Sequence, residues 1–309
     1  MLKKFLSPTL LLLAAVFWGF AFAAQEGAAS IPAFTLGSVR SILGAIFLTF
    51  IIIIFDLTMK TGRRLISRRG IDLNRYELIG GAICGLVLAT ASAFQQLGIN
   101  GETDGGKAAF ITALYVVLVP IYALVLKRKA PLSVWIAVGI SIVGFYFLCI
   151  KDGFTVAPSD TLVLVAAAIF PIHILTIDRF APKCDGVRMS CVQFITAAVI
   201  NSVIALIFER PIAISAIGGA ILPVLYLGIM SSGVAYTLQI LGQKNANPAA
   251  ASIILSLESV FGVIGTAIAF GSVMQVREYI GCAVVLFAVI LSQLDIKEIL
   301  KRLIKKRGK

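Results

Sequence analysis

One apolar run constrains this chain more than any other feature: Gly106 to Leu126, with Lys107 near one end and Lys127, Arg128 and Lys129 at the other. At 1.5 Å per residue such a run makes a helix roughly 30 Å long, the thickness of a bilayer's hydrocarbon core. Lipid offers a peptide group no hydrogen-bond partner, so a spanning segment has to satisfy its own backbone. A weaker copy, Ala249 to Phe270, follows 143 residues later, with Leu114 falling on Leu257, Tyr115 on Glu258 and Val117 on Val260.

Ten apolar spans can be marked, at 8–24, 33–55, 78–98, 106–126, 132–150, 159–177, 189–208, 217–240, 249–270 and 274–294. Ser7-Pro8 is expected to cap the first, Asp104 with Gly105-Gly106 the fourth, and Asn247-Pro248 the ninth. Only 14% of the 309 residues are charged and 59% are hydrophobic, whereas soluble domains carry about 25% charge. The chain therefore reads as a multi-pass membrane protein whose first partner is the lipid bilayer. The N-terminal MLKKFLSPTLLLLAAVFWGFAFAA imitates a signal peptide but is long, and equally apolar spans follow; it is read as an uncleaved first helix.

The net charge of +12 does not point to nucleic acid, because the basic residues sit in short loops and in the tail. With the N-terminus cytoplasmic, 22 of the lysines and arginines fall on the inner side and 4 on the outer. That bias sets the expected topology: both termini cytoplasmic, an even number of spans, and the cell membrane as location. The tail KEILKRLIKKRGK reads as an interfacial helix held by anionic lipid or as a disordered basic tail. The five cysteines form no CxxC pair and four lie in spans, which argues against disulfides and bound metal.

The halves repeat. Phe17-Trp18-Gly19 aligns with Ile169-Phe170-Pro171, Val39-Arg40 with Val192-Gln193, and Gln95-Gln96-Leu97-Gly98 with Gln239-Ile240-Leu241-Gly242. Each unit has five spans, so the second enters the membrane the opposite way round from the first. The expected fold is an all-α integral membrane protein of ten transmembrane helices in two inverted five-helix repeats, 1–150 and 159–295, with a basic cytoplasmic tail at 296–309. Inverted repeats build alternating-access transporters whose substrate site lies between the halves near mid-membrane.

Several short motifs occur in a characteristic order: Trp18-Gly19, Ile31-Pro32-Ala33-Phe34, Arg40, Ala108 to Leu114, Gly139 with Gly144, Asn247-Pro248-Ala249-Ala250, and Leu257 to Phe261. In this the chain resembles the EamA branch of the drug/metabolite transporter superfamily, over about residues 8 to 295. The resemblance implies a secondary transporter, chiefly an exporter, of small metabolites such as amino acids or related polar solutes. Two places depart from the family pattern: Ser259 stands where a proline often follows the acid, and Lys127-Arg128 and Gly271-Ser272 stand where a Gly-Glu pair often ends the helix.

Glu258 is the sharpest candidate residue. It lies near mid-membrane, where a charge costs several kcal/mol unless it is paired, wet or protonated. It is read as a proton or cation site or a contact for a substrate amine; the structural alternative is a hydrogen bond or ion pair, as with Arg40. His173, the only histidine, either titrates during transport or is hydrogen-bonded between helices. Tyr115, Thr112, Gln95, Tyr236 and Gln239 would suit a mid-membrane pocket for a small polar or zwitterionic solute, with Trp18 as a wall. Arg40 is assigned to helix packing, Lys107 to snorkelling or to attracting anions, and Trp135 to the interfacial belt. No HExxH, GxGD or Walker loop is present, so no enzyme, cofactor or nucleotide-driven reading is favoured. An intramembrane dyad of Ser231 with His173 has only the residue types behind it. A channel is the alternative class, and the repeat argues against it.

Overall fold

The structure is a computed structural model that describes residues 2–58, 73–128, 130–149, 157–211, 214–244, 246–271 and 273–292. The basic stretch 59–72 and the tail 296–309 lie outside the described residues. Among the described residues every regular element is a helix.

The first half comprises α1 (Leu2–Gly27), α2 (Ala33–Thr58), α3 (Arg75–Asn100), α4 (Gly105–Ala113), α5 (Tyr115–Val125) and α6 (Leu132–Cys149). The second comprises α7 (Pro158–Phe180), α8 (Gly186–Phe208), the short α9 (Ile214–Gly219) and α10 (Ile221–Leu225), and a π-helical stretch Tyr226–Ala235. It continues with α11 (Tyr236–Gln243), α12 (Pro248–Leu255), α13 (Glu258–Phe270) and α14 (Val276–Ser292). Eight segments among the described residues are long and apolar enough to cross a membrane. α6 and α14 are shorter, at 18 and 17 residues, near the lower limit of about 17 for a spanning helix. They pack on each other so closely that a Cβ on Gly281 would come 2.8 Å from the Gly144 carbonyl oxygen.

The helix starts follow local chemistry. Asp104 caps α4 by accepting from Lys107 N at 2.9 Å, and Asn247 caps α12 by accepting from Ala249 N at 3.0 Å. Asn74 and Glu77 form a reciprocal capping box on α3. Ser7 does not cap: α1 already begins at Leu2, and the Ser7 hydroxyl donates instead to the Gly242 carbonyl at 2.5 Å. A tertiary bond to the end of α11 has taken the hydroxyl, and Pro8 lies inside the helix, past the first turn whose N–H groups have no intrahelical acceptor.

Two further departures matter. The fourth and ninth spans are each broken. Leu114 and Leu257, matched by the repeat, have nearly identical torsions (φ −60°, ψ −15° and φ −60°, ψ −14°), and each donates its N–H three residues back, at 3.2 Å. Neither break contains a proline or a glycine. Around the second, the hydroxyls of Ser252, Ser256 and Ser259 bond to carbonyls three residues earlier at 2.7–2.8 Å, supplying donors where the ladder is interrupted.

The eighth span, read from sequence as one helix, is partly π-helical. Pro223 lacks the N–H that an α ladder would use there, and the wider π turn follows it. Gly228 and Gly233 set that stretch hard against Leu43 and Phe47 of α2; added Cβ atoms would sit 2.5 Å from their side chains.

α2 and α8 run antiparallel and are tied at both ends. At one end Glu209 accepts from Phe34 N, Thr35 N and Thr35 Oγ1 at 3.0, 2.6 and 2.8 Å. At the other, Arg188 Nη2 meets Asp56 Oδ2 at 2.8 Å. Ser38 and Ser202 join them between, at 2.6 Å.

Candidate functional site

A cavity opens where the two broken helices meet α1, α2, α3, α7 and the π-helical stretch. Its wall includes Trp18, Gln95, Thr112, Tyr115, His173, Tyr236, Gln239 and Glu258. All eight residues singled out from the sequence thus share one cavity. Arg40, Gln25, Ser92 and Ser231 line it too, together with Ala21, Phe22, Phe170, Ile174 and Leu255.

The helix breaks position the central pair. Tyr115 is the first residue of α5 and Glu258 the first of α13. They lie within electrostatic reach of each other, and both are buried, at 3% and 5% exposure. The Tyr115 hydroxyl and the Glu258 carboxyl are each other's polar partners, whereas Trp18 Nε1 and Gln239 Oε1 have no hydrogen-bond partner among the described residues. Buried polar groups are nearly always paired, because an unpaired one carries its full desolvation penalty. Two such atoms, Trp18 Nε1 and Gln239 Oε1, belong to the wall of this cavity.

Aromatic rings fix the wall. Tyr236 touches Trp18 at 4.6 Å between centroids, Phe194 at 5.5 Å and His173 at 5.7 Å, the last edge-to-face at 87°. Gln95 Nε2 donates to Thr112 Oγ1 at 2.9 Å, so α3 holds α4 one turn before its break. His173 Nε2 is 2.9 Å from Gln193 Oε1, an interhelical bond that joins α7 to α8.

Some residues take other roles than the sequence reading gave them. Arg40 is not paired with Glu258: it donates to Ser231, Ser232 and Gln25. Because Ser231 accepts from Arg40 and His173 is bonded to Gln193, the pair forms no nucleophile–base couple. Lys107 pairs with Asp160 at 2.6 Å. Gln25 is not singled out in the sequence, where it stands near the end of an apolar helix, and Ser231 is named there only for a dyad with His173.

A bundle of membrane-length helices closed around a polar cavity, at the point where two of them break, is the architecture of a membrane transport protein. The model of the EamA-like transporter family matches residues 6–150 and again 157–294, so this chain belongs to the EamA-like transporter family and carries its unit twice. An uncharacterised transporter of Archaeoglobus fulgidus is 28% identical over 225 residues, 72% of this chain and 71% of that protein. A solved crystal structure aligns with a TM-score of 0.72 at 18% identity, covering 93% of this chain and 98% of that one, a likeness of fold.

Proposed function

We propose that the protein is a secondary-active exporter of small polar metabolites such as amino acids, working by alternating access through the central cavity. The observation that carries this reading is the meeting of two matched helix breaks at a buried carboxyl group, Glu258, which has no cationic partner among the described residues. Discontinuous helices at a repeat interface are where secondary transporters hold solute and coupling ion.

In this reading α6 and α14 are the fifth spans of the two repeats, making ten. The contacts support the inversion. α7 begins beside the end of α3, through Thr103 Oγ1 to Asp160 Oδ1 at 2.8 Å. α1 begins beside the end of α11, through Ser7 and Gly242. The end that holds Asp160 is assigned to the outside of the cell membrane, from the charge bias of the loops. Glu258, the one acid among the cavity-lining residues, is assigned the proton or cation. Tyr115, Thr112, Gln95, His173, Tyr236, Gln239 and Trp18 are assigned to the solute.

The test uses purified protein in proteoliposomes with an imposed pH gradient. Candidate amino acids, amines and nucleosides come from a thermal-shift screen, since a ligand bound only by the folded state raises its midpoint. Gradient-driven, saturable accumulation is expected. Downhill flux that never saturates and ignores the gradient would make the protein a channel instead.

A further inference from the structure

Arg40 lies in α2 and lines the cavity that Glu258 also lines. It is buried to 9% exposure, and every hydrogen bond it makes goes to a neutral acceptor. Nε donates to Ser232 Oγ at 3.2 Å, Nη2 to Ser231 Oγ at 3.0 Å and Nη1 to Gln25 Oε1 at 3.4 Å. Among the described residues no carboxylate pairs with it. A guanidinium has five N–H donors, so one remains on each Nη nitrogen, and a carboxylate accepts from two such nitrogens at once.

The repeat supplies the comparison that separates packing from function. Gln193 holds the matching place on α8 and joins it to α7 through His173 at 2.9 Å. A neutral amide is therefore enough to tie these helices, and the joint alone does not call for a charge. A buried cation without an anion is costly in a membrane interior. Two consecutive serines of the π-helical stretch, Ser231 and Ser232, both accept from this one guanidinium and offset part of that cost.

We propose that Arg40, cradled by Ser231, Ser232 and Gln25, is an anion subsite that takes the carboxylate of the transported solute. Glu258, with the Tyr115 hydroxyl beside it, meets the solute's cationic end. The cavity then selects a zwitterion, whose two charges meet Arg40 and Glu258, neither of which has an ion-pair partner among the described residues. This rests on the transport reading and adds to it a requirement for an anion.

The probes are the standard L-amino acids, each beside its carboxamide, which lacks the anion, and its N-acetyl form, which lacks the cation. Binding to the purified full chain is read by thermal shift. At least one zwitterion should raise the midpoint, and its carboxamide should need roughly tenfold more ligand for the same shift. Arg40→Gln should bring the zwitterion down to the carboxamide's level and leave the carboxamide where it was. Arg40→Lys, which keeps the charge without the fork, should fall between. Carboxamides that bind as well as their acids, a folded Arg40→Gln that still prefers the acid, or no zwitterion that binds at all would each overturn the subsite. If Arg40→Gln does not fold, the wild-type comparison and Arg40→Lys still decide. Flux separates the two claims. Transport of amines with no preference for the carboxylate would remove the anion subsite and keep the transporter; the preference without flux would do the reverse.

Discussion

Lys107 Nζ and Asp160 Oδ2 stand 2.6 Å apart, joining the first turn of α4 to the first turn of α7 across the two halves. Asp160 is 2% exposed and also accepts from Thr103 Oγ1 at 2.8 Å and Ala157 N at 2.7 Å. The places that the repeat offsets match to this pair fall on Ala250 and the first turns of α1, so the other end has no equivalent ion pair. Asp160→Asn should lower stability by about 1–3 kcal/mol. It should also raise labelling of a cysteine at Thr112 from the side that bears Asp160. A thermal melt reads the first and an impermeant thiol reagent the second. Unchanged labelling in a destabilised variant would make the pair a staple with no part in access.

Glu258→Gln keeps the side chain's shape and removes its titration. The variant should lose accumulation driven by a pH gradient. Exchange of labelled for unlabelled solute should survive if the carboxylate serves only the proton, and fail together with binding if it holds the solute's ammonium. Wild-type rates in both assays would assign Glu258 to structure.

Gly19 lets α1 meet α13 one turn beyond Glu258. A Cβ there would come 2.2 Å from Phe261 Cβ and 2.8 Å from Gly262 N. Gly19→Val should force the helices apart and cost roughly 1–3 kcal/mol, read as a lower melting midpoint. Gly139, where a Cβ meets nothing within 4 Å, should accept alanine without loss.

In a background free of native cysteines, a single cysteine at exposed Glu102 should react with an impermeant reagent on intact cells. One at Ser67, in the basic stretch before α3, should not. The reverse pattern would turn the assigned orientation upside down.

The sequence carried the cavity further than the geometry that makes it. Matching Tyr115 to Glu258 at a fixed offset is enough to place both at one interface, because the repeat enforces it. Gln95, Tyr236 and Gln239 follow as polar residues in otherwise apolar helices. The breaks at Leu114 and Leu257 were not legible, since neither contains proline or glycine and both residues keep torsions in the helical region. The partners of Arg40 were hidden for another reason. Arg40 lies in α2, while Gln25 lies in α1 and Ser231 and Ser232 lie nearly two hundred residues on, so no local pattern encodes these contacts. The Lys107–Asp160 pair joins residues in different halves, which no local pattern encodes.

The matched breaks have one last consequence. Two identical five-helix chains assembled about a two-fold axis would have to show the same residue at both breaks: two acids or two phenols. Joined in one polypeptide, the halves are released from that requirement, and one break carries Glu258 while the other carries Tyr115. The cavity is thereby a polarised socket set in a nearly symmetric frame. On the proposed transport reading, a solute with unlike ends would have one way to sit in it.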